Sequence, residues 1–90
     1  MNKQLLGALS MDLKRVALDL HNGSPATALI FSDEAMKRIR ELDNQKLPKQ
    51  IKIVIEQVKQ MFTIRDSERK AEYALMYSTI VQNYALSKLV

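Results

Sequence analysis

Residues 6–25 have the sequence LGALSMDLKRVALDLHNGSP, and this stretch determines the fold class. Apolar side chains recur in it at spacings of three and four positions, which is typical of the buried side of an amphipathic helix. Asn22 and Gly23 tolerate the left-handed backbone conformation that ends a helix, while Ser24 as N-cap and Pro25 at the first helical position favour the start of the next one. A connection this short places two helices side by side in opposite directions. The apolar positions of the first helix are Leu6, Leu9, Leu13, Val16 and Leu20.

The same periodicity continues through the rest of the chain. A second helix is predicted from about Pro25 to Leu42, and a third from Leu47-Pro48 onward. The pattern lapses at residues 63–67, where either a break before a fourth helix capped by Asp66 or Ser67, or one kinked helix from residue 48 onward, fits the sequence. The predicted fold is therefore all-α, a small antiparallel up-down bundle of about four helices in a single domain over residues 1–90. It has a helix hairpin at 21–25 and a kink or break at 63–67.

Composition restricts the classes of function. The chain has 90 residues, a net charge of +4 and no cysteine, which excludes disulfides, thiolate nucleophiles and cysteine-bound metals. The absence of disulfide staples in so small a domain favours the cytoplasm. No apolar run reaches the 18 or more residues that a membrane-spanning helix requires. We therefore expect a cytoplasmic protein.

The sequence predicts no catalytic, metal or cofactor site. Its single histidine, His21, lies at the end of the first helix, where a positive charge suits the helix dipole. No Glu-x-x-His pair is present for a di-metal bundle, and no glycine-rich loop is present for a phosphate. The expectation is that the protein is not an enzyme.

One pair of residues nevertheless resembles a catalytic motif. Arg15 and His21, with five residues between them, resemble the Arg-x(4–6)-His motif of the HEPN ribonucleases, which are also small helical bundles that dimerise. The resemblance implies RNA cleavage by these two residues. It covers two residues, and the family places its motif near a later helix. A HEPN-like ribonuclease is therefore one alternative for the function.

The last helix predicts the favoured function. From about Ser67 to Leu89 it is apolar over most of its circumference, which exceeds what three neighbouring helices can cover. Tyrosines four and seven positions apart lie along one side of it, and tyrosine is enriched at protein interfaces. We therefore expect a non-enzymatic interaction module that forms a homodimer or binds a partner protein. The predicted interface residues are Tyr73, Tyr77, Ile80 and Tyr84.

A second alternative comes from the uneven distribution of charge. Residues 44–62 contain four lysines and one glutamate, and three of these lysines share a stripe of the third helix. Such a stripe can contact phosphates, although it carries no aromatic residue for base stacking and no arginine for base readout. The sequence thus leaves open weak RNA or DNA binding. The lysines concerned are Lys46, Lys49, Lys52 and Lys59.

Overall fold

The computed structural model describes residues 2–87, and these form four α-helices with no strand among them. This confirms the predicted all-α bundle. A short 3₁₀ helix, Asn44–Lys46, links the second helix to the third. The α-helices are α1 (Asn2–His21), α2 (Pro25–Glu41), α3 (Lys49–Met61) and α4 (Ser67–Ser87).

The hairpin between α1 and α2 forms at the predicted residues. Gly23 has a φ of 73°, a left-handed conformation that its missing side chain permits. The Ser24 amide donates to the Asp19 carbonyl at 2.7 Å, which closes the turn. Ser24 is the N-cap residue of α2 and Pro25 occupies its first turn, as predicted, although the Ser24 side chain makes no capping hydrogen bond.

The break between α3 and α4 is also confirmed, and the single kinked helix is wrong. α3 ends at Met61, and the amides of Thr63 and Ile64 continue it only as turns. Asp66 then caps α4, because its Oδ1 accepts from the amide of Glu68 at 3.0 Å and of Arg69 at 3.3 Å. α4 therefore begins as a separate helix at Ser67.

α1 is the central helix of the bundle. It packs against α2 and more extensively against α4, while α3 packs against α4. The first turns of α1 lie beside Tyr84 and Ala85, and its last turns lie beside Glu68 and Ala71, so α1 and α4 are antiparallel. A hydrogen bond between residues 78 and 10, from the serine hydroxyl to the serine carbonyl at 2.9 Å, fixes their register.

The core lies between the predicted apolar stripes. Small residues on α4 allow α1 to approach it closely, because Ala74, Ser78 and Ala85 are all buried. Large aliphatic side chains from α1 and α3 fill the remaining space. The most deeply buried large side chains are Leu6, Leu9, Leu13, Val16, Val58 and Val81.

Candidate protein–protein interface

The predicted interface residues lie on the side of α4 that packs towards α3. We call this set, Tyr73, Tyr77, Ile80 and Tyr84, the tyrosine side. Tyr77 is only 9% exposed and belongs to the core. Tyr73 and Tyr84 are half-buried and pack against that core, which leaves Ile80 as the one exposed member. Most of the tyrosine side is therefore covered by the chain itself.

A shallow cleft remains between α3 and α4 at the tyrosine side. The rings of Tyr73 and Tyr77 stack with centroids 6.1 Å apart and planes inclined by 18°. Together with Gln57, Met61 and Arg69 they line a cavity of about 360 Å³. The rings thus serve mainly as packing groups, with one edge of the stack open to solvent.

The opposite side of α4 forms a groove with α1, and this groove exposes large apolar side chains. Met11 is 72% exposed, Leu18 47% and Leu75 51%. One depression of about 630 Å³ is lined by Leu18, Leu75 and Glu72, and a second of about 310 Å³ by Met11, Lys14 and Leu18. Leu18 lines both depressions, which therefore adjoin at this residue and together make up one surface between α1 and α4. We call it the α1/α4 groove and define it by these five residues.

The sequence contains a signal for the α1/α4 groove that the stronger seam of α1 conceals. Met11 and Leu18 are seven positions apart, so they lie on one stripe of α1 that is separate from the buried seam. Leu75 falls between the two apolar stripes of α4, so its place in the sequence predicts no particular environment. Only the position of α1 shows that Leu75 lines a groove.

Two charged residues of the α1/α4 groove have no ionic partner. Among residues 2–87, no group of opposite charge lies within 4.0 Å of Lys14 or Glu72. Arg15, beside Lys14, is by contrast engaged within the chain. Its guanidinium bonds the Asp19 carboxylate at 3.3 Å and lies 5.0 Å from the centre of the Phe31 ring. Lys14 and Glu72 are thus available to an external partner.

The residues that resemble a ribonuclease motif are held apart along α1. The guanidinium of Arg15 lies over the Phe31 ring of α2, and the same residue lines the depression beside Met11. His21 is exposed at the end of α1 and lines the other depression, beside Leu75. The six-residue separation of Arg15 and His21 places them about 9 Å apart along the axis.

The four lysines of the nucleic-acid alternative do not act as one set of free cations. Lys59 donates to Glu56 at 3.1 Å, which neutralises one of them. Lys49 and Lys52 lie on the outer surface of α3, beside an exposed isoleucine. Lys46 lies in the 3₁₀ helix and lines a different pocket. Two lysines on one helix remain as the free part of the stripe.

Two buried carboxylates on α1 carry no signal in the sequence pattern. Asp12 and Asp19 are seven positions apart and lie on the α2 side of α1. Asp12 accepts from Arg38 at 3.3 Å, yet burial raises the pKa of its carboxyl because the lost hydration outweighs the attraction of the guanidinium. Asp19 Oδ2 has no hydrogen-bond partner among the described residues. Asp12 therefore links α1 to α2 through Arg38, whereas Asp19 bonds Arg15 within α1 itself.

Three further observations bear on the function. Within residues 2–87, no group of three or more histidine, cysteine, aspartate or glutamate side chains is placed to hold a metal ion. None of the described helices is long and apolar enough to cross a membrane. No protein-family model matches the chain, and neither the curated proteins nor the solved structures contain a match.

Proposed function

We propose that this chain is a non-enzymatic protein-association module and that its partner binds the α1/α4 groove. The observation that carries the proposal is the exposure of Met11, Leu18 and Leu75 in the two adjoining depressions of the α1/α4 groove. Covering such apolar surface is favourable, because it releases the water that hydrates it. Unpaired charges beside the apolar residues match the polar rim that surrounds the apolar centre of protein interfaces.

The whole face of α1 and α4 that contains the groove lies at the lower size limit of a standard interface. α1 and α4 have 20 and 21 residues, so each is about 30 Å long. Two adjacent helices present a face about 20 Å wide, which gives roughly 600 Å² before side-chain relief is counted. Partners in a standard interface each bury about 800 Å². The face therefore approaches the size of an ordinary interface.

Other exposed apolar residues offer a weaker site. Leu29 and Ile30 lie on α2, Ile53 lies on α3, and Met76, Ile80 and Leu86 lie elsewhere on α4. Each group belongs to a single helix, whereas the groove contributes side chains from two helices and so contacts a partner on both walls. The proposal therefore keeps the expected association through α4 but assigns it to the α1 side of that helix.

Site-specific photo-crosslinking tests the proposal. A photoreactive amino acid is placed at Leu75 and, as a control, at Ile53, whose 49% exposure nearly matches the 51% of Leu75. In cells that naturally produce the chain, we expect irradiation to give a protein adduct at position 75 in at least fivefold excess over position 53. Equal yields at the two positions, or no adduct at position 75, would contradict the proposal.

A further inference from the structure

We propose that the partner in the α1/α4 groove is a second copy of this chain, related to the first by a two-fold axis that runs along the groove, parallel to α1 and α4. This inference rests on the proposed function, since it names the occupant of the same groove. It follows from the register of the two helices and from the positions of the groove charges. A two-fold interface must be complementary to itself, and both features can be tested against that requirement.

The two-fold axis brings each α1 against the partner's α4. Rotation about an axis parallel to the helices leaves the height of every residue along them unchanged and exchanges the two walls of the groove. Since α1 and α4 of one chain are antiparallel, α1 and the partner's α4 are antiparallel as well. These four helices then pack as an antiparallel bundle. Residues that line the groove at similar heights on α1 and α4 therefore face one another across the interface.

The register places the apolar groove residues at known heights. The hydrogen bond from Ser78 to Ser10 marks one level common to α4 and α1. With a rise of about 1.5 Å per residue, Met11 lies about 1.5 Å above this level, towards the end of α1, and Leu75 lies about 4.5 Å above it. The two heights differ by about 3 Å, which is less than one helical turn. Met11 of one copy then lies opposite the partner's Leu75.

The groove charges obey the same symmetry. Lys14 of α1 lies about 6 Å above the reference level, and Glu72 of α4 lies about 9 Å above it. Their heights again differ by about 3 Å, which the long, flexible side chain of a lysine can span. Each Lys14 therefore meets the partner's Glu72, and the axis generates this contact twice.

The resulting interface has the composition expected of a homodimer. Leu18, about 12 Å above the reference level, lies opposite the partner's Ala71, at about 10.5 Å. Apolar contacts thus lie on both sides of each Lys14–Glu72 pair. Because neither charged residue has an ionic partner within the described part of its own chain, pairing across the axis breaks no existing bond. Charges that are complementary in this way fix the register of an interface and disfavour other arrangements.

Two charge-reversal variants, measured separately and then mixed, test the arrangement. In a dimer of the Lys14→Glu variant, both contacts become carboxylate against carboxylate, and in a dimer of the Glu72→Lys variant both become ammonium against ammonium. We expect each variant to dimerise about tenfold more weakly than wild type in sedimentation equilibrium. In an equimolar mixture, every contact between unlike chains pairs opposite charges. The mixture is therefore expected to regain wild-type dimerisation as a heterodimer.

Mixing also shows whether the weaker dimerisation arises between chains or within one chain. Each variant retains its own like charges at positions 14 and 72 in the mixture, so an effect within one chain would not be reversed. A Lys37→Glu variant, altered on a lysine of α2, serves as the control and should dimerise like wild type. A wild-type monomer at 100 µM, or a dimer that neither variant weakens or that mixing does not restore, would overturn the two-fold arrangement. The proposed function fails separately, if photo-crosslinking at Leu75 gives no excess of protein adducts.

Discussion

The two flanks of α4 are both apolar, yet the chain uses them differently. The tyrosine side is covered by α3 and holds Tyr77 in the core, whereas the α1 side leaves Leu75 half in water. The cause is the size of the residues beside them. Ala74 and Ser78 let α1 approach closely, so Leu75 lies at the rim of the contact instead of beneath it. Small residues in the contact bring the next helix close to the backbone of α4. That helix then does not extend over the larger apolar side chain beside the contact, which stays exposed in a groove.

The largest change in the free energy of unfolding is expected from a substitution on the buried flank. Tyr77→Ala removes a ring from the core and its stack with Tyr73, and we expect the free energy of unfolding to fall by about 3 kcal/mol. Urea denaturation at low protein concentration measures this loss. Leu75→Ala is the control on the open flank and should change the same quantity by less than about 0.5 kcal/mol. Equal losses for the two variants would contradict the difference between the flanks.

The second-largest effect is expected on the open flank, where a substitution changes dimerisation instead of the stability of the fold. Leu75→Glu places a charge in the α1/α4 groove, and we expect dimerisation to weaken at least about tenfold, or about 1.4 kcal/mol. Helical content by circular dichroism should be unchanged, since the side chain is half exposed. Ile53→Glu on α3 is the matched control. If Ile53→Glu weakened the dimer as much as Leu75→Glu, the claim that the dimer forms through the α1/α4 groove would be contradicted.

A smaller effect concerns the first turns of α1. A Cβ added at Gly7 meets no atom within 4 Å, so Gly7→Ala restores helix propensity without a clash. We expect a gain of about 0.8 kcal/mol in the free energy of unfolding, measured by urea denaturation. The dimer dissociation constant should not change, because Gly7 lies one turn before Met11 and outside the groove. A loss of stability in Gly7→Ala would show that this position is more crowded than the open space around it indicates.

The smallest effect is the pH dependence of Asp12, on the α2 flank of α1. Burial raises the pKa of this carboxyl above 3.8, so the folded chain binds the carboxyl proton more tightly than the unfolded chain does. The stabilisation of the folded chain by this proton is complete below pH 3.8. It is lost as the pH rises through the raised pKa of Asp12. Asp12→Asn keeps the side chain neutral. The stability difference, variant minus wild type, should therefore grow with pH in that window, as measured by urea denaturation. A difference that falls with pH would contradict this sign.

Local signals in the sequence were sufficient for most of the fold. The seam that includes Leu6 and Leu13 predicted α1, and Asn22-Gly23 predicted its end, because helix periodicity and the left-handed turn depend on neighbouring residues alone. Asp66 was likewise one of the two residues predicted to cap α4. These features need no knowledge of how the helices are arranged.

The candidate site depended on information that no single segment contains. Both apolar stripes of α4 are visible in the sequence, but nothing local indicates which stripe α3 covers. That distinction follows from the contact of Ser78 with Ser10, between residues 68 positions apart. The stripe formed by Met11 and Leu18 is visible in the sequence, but it becomes one wall of a groove only because α4 lies beside it.

Cysteine pairing tests the two-fold groove contact with the least intervening inference, because the chain contains no cysteine of its own. Met11→Cys and Leu75→Cys variants are mixed under mild oxidation, with Leu29→Cys replacing the first in a control mixture. We expect the Met11→Cys and Leu75→Cys chains to form a mixed disulfide dimer faster than either chain pairs with itself, because the two-fold axis places these positions opposite each other. A mixed dimer that forms no faster than in the control mixture would contradict the arrangement.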